Sequence, residues 1–255
     1  MHQYFTEVTL KAVTGMPLIR PGDNLATIVI ERLTASGIGV RQQDVIVLAQ
    51  KIVSKAEGRY VDLTKVVPSA RATTLASVVE KDPRLVEVIL SESTEVLRYR
   101  PGLIITVHRL GFVMANAGVD RSNVGGSECV LLLPADPDAT CSNLRRQLQD
   151  HFGVGLGVII NDSIGRAWRN GIVGTALGAA GVPALLDLRG QQDLFDRALE
   201  TTQVGLADEI AAAASLVMGQ AGERLPLVVA SGLRWTPCAA GARDLIRSKE
   251  TDLFR

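Results

Sequence analysis

The spacing of apolar positions changes several times along the chain, and each change marks an expected element. Residues 4–13 are rich in β-branched and aromatic types and stop at Gly15-Met16-Pro17, which predicts a strand entering a turn. Leu25, Ile28, Val29 and Leu33 follow at helical spacing, with Asp23 placed as N-cap and Gly37 and Gly39 closing the helix. Residues 45–49 predict a short buried strand leading into the polar run 50–59. Residues 69 to about 98 predict two helices broken near Asp82-Pro83, because the residue before a proline resists helical geometry.

Further along, residues 103–108 and 112–115 predict a hairpin, and 116–123 a polar elbow. A strand at 131–133 and a turn at 134–138 lead into a helix carrying Leu144 and Leu148. An apolar strand at 153–160 is expected to stop where Asn161-Asp162-Ser163 begins. Residues 171–180 are rich in Gly and Ala and allow close backbone approach. Leu206, Ile210, Ala213 and Val217 predict a helix ending near Met218-Gly219-Gln220, before a last strand at 225–230. Strands and helices mix without regular alternation, so the expected class is α+β, neither Rossmann nor P-loop.

Composition adds little to this pattern and removes some partners. With 27 Lys+Arg against 27 Asp+Glu in 255 residues, the chain lacks the basic field that non-specific nucleic-acid binding uses. Cys129, Cys141 and Cys238 are widely spaced, which suggests neither a disulfide framework nor a zinc site. The start shows no secretory signal and no run reaches spanning length, so a cytoplasmic location without membrane contact is expected.

The candidate chemistry lies at element ends. The familiar phosphate loop, nucleophile elbow and zinc-helix motifs are missing, and His2, His108 and His151 are isolated. Asp162 and Ser163 follow an apolar strand, where hard oxygens suit Mg²⁺ or Mn²⁺ beside phosphate; the competing reading is an Asp capping a turn. Asp120 and Asn123 offer a second carboxylate and an amide, or an Asx turn. Lys51, Lys55 and Arg59 recur every four residues, which on one helix face would hold a polyphosphate or form a solvated face. Asp208-Glu209 reads as structural, since adjacent helical positions diverge by about 100°.

Four segments in order, Gly15-Met16-Pro17-Leu18-Ile19-Arg20, Ser54-Lys55-Ala56-Glu57-Gly58-Arg59, the elbow from Asn116 to Asn123, and Asn161-Asp162-Ser163-Ile164-Gly165-Arg166, resemble the coenzyme F420-0:L-glutamate ligase family. Ala207-Asp208-Glu209, Met218-Gly219 and the closing Arg243-Asp244-Leu245-Ile246-Arg247 extend the resemblance over essentially the whole chain. It implies a GTP-dependent ligase adding L-glutamate to the deazaflavin coenzyme F420-0 through an acyl phosphate, then a second, γ-linked glutamate. It also implies two intertwined α+β subdomains, drawn here as 1–70 plus 175–255 and 71–174, in a homodimer.

By the same resemblance, Pro17, Leu18, Ile19 and Arg20 would line GTP, with Gln50, Lys51, Lys55 and Asn123 on its phosphates or sugar and Met218-Gly219 closing over it. Asp120, Asp162 and Lys55 would be catalytic. Asp120 and Asp162 would bind Mg²⁺ or Mn²⁺, Ser163 and Gln220 a second metal, with K⁺ as a further cation. Three positions depart from the family pattern: Ser163 for Thr, Gln220 for Glu, and Lys51 for a small hydroxyl residue. Two other readings fit the same side chains, a metal-dependent phosphohydrolase or phosphotransferase and a non-catalytic deazaflavin or nucleotide-binding module. Some relatives carry a nitroreductase-like extension; this chain stops at Arg255, so only the ligase step is expected.

Overall fold

The computed structural model describes residues 7–122, 126, 128–236 and 238–254. In chain order the elements are β1 (Thr9–Ala12), α1 (Leu25–Ala35), β2 (Val45–Ala49), α2 (Gln50–Ala56), β3 (Tyr60–Asp62), α3 (Ala70–Val79), α4 (Pro83–Ser91), β4 (Ser93–Arg100) and β5 (Leu103–His108). They continue with β6 (Val113–Ala115), β7 (Cys129–Leu131), α5 (Pro137–Phe152), β8 (Gly157–Arg166), β9 (Arg169–Ala180), β10 (Leu186–Asp187), β11 (Gln203–Val204), α6 (Leu206–Met218) and β12 (Leu227–Ser231).

A five-stranded sheet in the order β1-β12-β2-β8-β9 carries the architecture. Only the β2–β8 pair is parallel, so this is an α+β sheet and not a doubly wound one. Side chains alternate across it. Ile46, Leu48, Val158 and Ile160 join the core under α1, α2 and α5, whereas Val45, Val47 and Ile159 join the core under α6. A third core, from Leu63 to Leu132, packs α3 and α4 against β5 and the strand pair β3–β7. Helix α5 and strand β8, which lie within the 71–174 segment, belong to the layers of the central sheet, and β9 runs across residue 174.

Several local expectations change. The N-cap of α1 is Asn24, which accepts from Thr27 N–H; Asp23 instead accepts from the Arg20 N–H at 2.7 Å and closes the preceding loop. The helical stretch ends at Ser91, and residues 93–100 form β4; register shifts between Ser93 and Glu95 and between Val96 and Arg98 blur the period of two that marks a strand. Strand β8 does not stop at Ile160 but runs through Asp162 and Ser163 to Arg166, with a register shift at Ile160/Asn161. Polar side chains there end the apolar run without ending the backbone ladder.

The Gly/Ala-rich β9 does allow close approach. A Cβ on Gly174 would stand 2.4 Å from the Ala211 carbonyl oxygen of α6, and one on Gly178 would stand 2.5 Å from the Pro137 carbonyl oxygen at the start of α5. Both helices therefore seat backbone to backbone on this strand. Its outer edge is blunted by carboxylates: Asp208 accepts from Ala176 N–H and Asp138 from Ala179 N–H, each at 2.9 Å. Asp208 thus ties α6 to the edge of β9.

Candidate active site

Strand β2 ends at Ala49, opposite Asn161, and the chain turns directly into α2. Its parallel neighbour β8 continues, so Asp162 and Ser163 extend past the end of β2 beside the first turn of α2. Alternation sends these two side chains to opposite faces of the sheet. Asp162 shares the α2 face with the elbow residue Asp120. Ser163 faces the end of α6, where its hydroxyl donates to Gln220 Oε1 at 2.7 Å.

Asp120 is fixed by its backbone, which exchanges two hydrogen bonds with Leu131. Its carboxylate then serves two purposes. Oδ1 accepts from Ser122 N–H at 2.6 Å, an Asx turn, while Oδ2 pairs with the Lys51 ammonium at 2.8 Å. Lys51 also donates to Ser122 Oγ at 2.6 Å. The Asx turn uses one oxygen of Asp120 and leaves the other to pair with Lys51, so the turn does not prevent the carboxylate from meeting a cation.

Lys51 and Lys55 stand one turn apart on α2. Arg59 does not join them, since the helix stops at Ala56; it donates to Leu133 O and pairs with Glu92 at 3.0 Å. Gln50 is buried, with Nε2 on Ser54 Oγ and Leu132 O. Loop 13–24 rests on the far end of α2 through Gly22 N–H to Ala56 O. There Pro17, Leu18 and Arg20 are exposed, and Ile19 is anchored in the core. Asn123 lies outside the described residues.

At the α6 end, Met218 is buried and receives the Asn161 amide at 3.5 Å, and Gly219 takes φ +73°. With ψ 179° beside that φ, Gly219 sits in a backbone region essentially confined to glycine, so the turn there requires it. Three features were not visible in the residue pattern: Ser122 as a lysine acceptor, buried Asn161 with Oδ1 unpartnered, and the latch around Glu92. Only the first had a usable signal, the Asp-x-Ser spacing of an Asx turn.

The electrostatics separate the two carboxylates. Burial pushes Asp162 up to about 6 and the Asp120 charge pushes the same way, while the Ser163 backbone hydrogen bond and the Lys51 charge only partly offset them. Burial also acts to raise Asp120, but hydrogen bonds from Lys51 and Ser122 hold it below the usual range. Lys55 is lowered by burial and by the Lys51 charge, with Asp120 acting in the opposite direction. A carboxylate held high by burial and a like charge is a place where added positive charge is favourable. Asp120 and Asp162 are close enough to feel each other, and both present the hard oxygens that Mg²⁺ or Mn²⁺ takes. Among the described residues no three His, Cys, Asp or Glu side chains converge, so any such ion would need oxygens from Ser, Gln, phosphate or water as well.

Fold and geometry together describe an α+β protein whose candidate site gathers carboxylates and lysines from separate segments at one end of a mixed sheet. The profile of the family described as F420-0:Gamma-glutamyl ligase matches residues 14–232. Coenzyme F420:L-glutamate ligase of Methanothermobacter thermautotrophicus is 45% identical over 97% of this chain and 99% of its own length. That of Methanopyrus kandleri is 47% identical over 93% of each chain, and that of Haloarcula marismortui is 40% identical over 96% of this chain and 94% of its own. The chain belongs to the F420-0:gamma-glutamyl ligase family and is a ligase.

Proposed function

We propose that this chain joins L-glutamate to coenzyme F420-0, giving F420-1 and then γ-linked F420-2, with GTP as the energy source. Support comes from the relatives' names and from one geometric observation: Lys51 pairs directly with Asp120 at 2.8 Å, with Lys55 and Asp162 each near enough to feel the charges of that pair. A carboxylate is a poor electrophile, so the reaction needs a leaving group. In the proposed sequence the precursor carboxylate attacks the γ-phosphorus and GDP leaves. The glutamate amine then attacks the acyl carbon of the resulting acyl phosphate; phosphate departs with the bonding electrons and the amine proton passes to solvent.

Positioning and charge neutralisation dominate phosphoryl transfer, and the clustered lysines and carboxylates would contribute both in the proposed reaction. Lys51 and Lys55 would hold phosphate oxygens as point charges, and Asp120 and Asp162 would hold Mg²⁺ or Mn²⁺, whose charge polarises those oxygens when bound. Ser163 and Gln220, already hydrogen-bonded to each other, are the proposed ligands of a second ion, and K⁺ is a third proposed cation. Loop residues 17–20 and the turn at Met218-Gly219 are the proposed walls for GTP.

The test is mass spectrometry of a reaction containing GTP, Mn²⁺, glutamate and F420-0. Added glutamyl units with matching GDP are expected. GTP cleavage at the same rate without glutamate and F420-0 would replace this reading with a phosphohydrolase. We also propose a cytoplasmic homodimer of two-subdomain chains, to be checked by light scattering of the purified protein. No helix among the described residues is long and apolar enough to cross a membrane.

A further inference from the structure

The β8–β9 hairpin does not end at the cleft. It continues past Asp162 and Ser163 through the pairs Ile164↔Val173 and Gly165↔Ile172 to Arg166↔Arg169, with Trp168 at the turn. Trp168 is 86% exposed, and its backbone lies in the left-handed region at φ +63°. A single exposed apolar side chain is ordinary on a protein surface. A bulky residue held at positive φ is not, and such strain concentrates where a side chain must be presented.

The flanking arginines are a second, independent observation. Arg166 and Arg169 stand directly opposite each other, an arrangement of like charges that weakens a strand pair. Both are exposed, and among the described residues neither forms an ion pair. Two exposed arginines paired across the strands next to a turn that carries an exposed tryptophan offer the chemistry to hold a flat aromatic molecule bearing negative charge: stacking on the ring and forked hydrogen bonds to the anion.

The tip is also at a useful distance. Asp162, Ile164 and Arg166 alternate onto one face of β8, so the tip lies along the same face as the carboxylate of the cleft. Four strand steps place Arg166 roughly 13 Å from Asp162. We infer that the hairpin tip is the docking platform for the deazaflavin precursor, with Trp168 under the ring system and Arg166 and Arg169 on the charged side chain that carries the reacting carboxylate back to Asp162. This assignment rests on the function proposed above, since it takes its ligand from that reading.

Fluorescence anisotropy of coenzyme F420-0 titrated with the full-length chain tests the platform separately from turnover. The dissociation constant should weaken by about tenfold or more in Trp168→Ala and again in Arg166→Ala/Arg169→Ala, with Trp168→Phe retaining most of the affinity because it keeps a stacking face. GTP affinity, measured on the same variants, should stay within about twofold of wild type. Precursor affinity unchanged in both Trp168→Ala and the double arginine variant overturns the platform, as does an absence of F420-0 binding to the wild-type chain. A change of oligomeric mass in Trp168→Ala with unchanged precursor affinity also overturns it, by making the tip a contact between copies. Trp168-dependent binding without glutamylated product upholds the platform and sinks the ligation reading.

Discussion

Asp162 is where one residue carries opposing demands. Its carboxyl titrates near 6 in the folded chain against an ordinary 3.8, mainly because it is buried. The folded state therefore binds this proton more tightly than the unfolded state does. The stabilising contribution is complete below about pH 4 and is lost as pH rises through 6, leaving a buried charge that weakens the metal-free protein at neutral pH. Asp162→Asn keeps the shape and removes the charge, so it should raise metal-free stability at pH 7 by about 1–3 kcal/mol, with the gain vanishing near pH 4. The same variant should abolish ligation at any Mn²⁺ concentration. Urea unfolding at the two pH values, paired with a product assay, checks both; a variant that ligates normally ends the metal-ligand role. Asp120 differs, because Lys51 and Ser122 already stabilise its charge. Asp120→Asn should abolish turnover without the neutral-pH stability gain, a contrast read in the same two assays. The Asx spacing made Asp120 legible in the sequence. Arg59 was misplaced because a period of four predicts a shared face only while the helix lasts, and α2 has only seven residues.

At the scale of elements, the cleft depends on a latch that lies outside it. Glu92, at the end of α4, accepts from Arg59 at 3.0 Å and Arg109 at 3.1 Å, and His108 Nε2 faces it at 3.4 Å. The His108 ring is fixed by Leu110 N–H donating to Nδ1. Each arginine also holds a backbone carbonyl of the segment that follows β7, Leu133 or Ala135, and β7 itself pairs with Asp120 through Leu131. Burial acts to raise the Glu92 pKa, but the adjacent His108 Nε2, the Arg109 hydrogen bond and the two arginine charges bring it down to about 2. A depressed carboxylate stabilises above its unfolded pKa of about 4.5 and loses that contribution as pH falls through about 2. Glu92→Gln should therefore cost about 3 kcal/mol at pH 7 and progressively less towards pH 2, measured by denaturant unfolding; an equal cost at both ends would mean the charge is not what holds the latch. The packing of β9 yields a second prediction. Gly178→Ala should destabilise by about 1–3 kcal/mol through overpacking against Pro137, whereas Gly171→Ala, with nothing within 4 Å of its Cβ, should show only the strain of its positive φ. Close approach could be anticipated from Gly and Ala content, but the glycines that need it could not. Apolar periodicity likewise revealed β2, β5, α5 and α6, whose side chains are sorted by burial, and missed β4 and the outer half of β8, where bulges or cleft residues disturb that sorting.

Across the whole molecule, the candidate site is assembled from segments far apart in sequence: the loop around residues 17–20, α2, the elbow at Asp120, the middle of β8 and the end of α6. Order along the chain made these segments recognisable as a set. What it could not convey is that Asp162 and Ser163 point to opposite faces, which separates the Asp120 pair from the Gln220 contact. That requires the register of β8 against β2, a non-local fact. The same non-locality makes ligand binding a probe of the global fold. An unfolded chain cannot bring these five segments together, so a ligand of the complete site binds only the native state and stabilises it by about 2.7 kcal/mol at one hundred times its dissociation constant. For a chain of this size each kcal/mol moves the melting temperature by about 2–4 °C, which predicts a rise of about 5–10 °C with saturating GTP and Mn²⁺. Differential scanning fluorimetry should show that rise in wild type, a smaller one with GTP alone, and no added effect of Mn²⁺ in Asp120→Asn. An equal Mn²⁺-dependent rise in wild type and Asp120→Asn would place the metal elsewhere in the molecule, because an ion held through the Asp120 carboxylate cannot contribute undiminished linkage energy once that charge is gone.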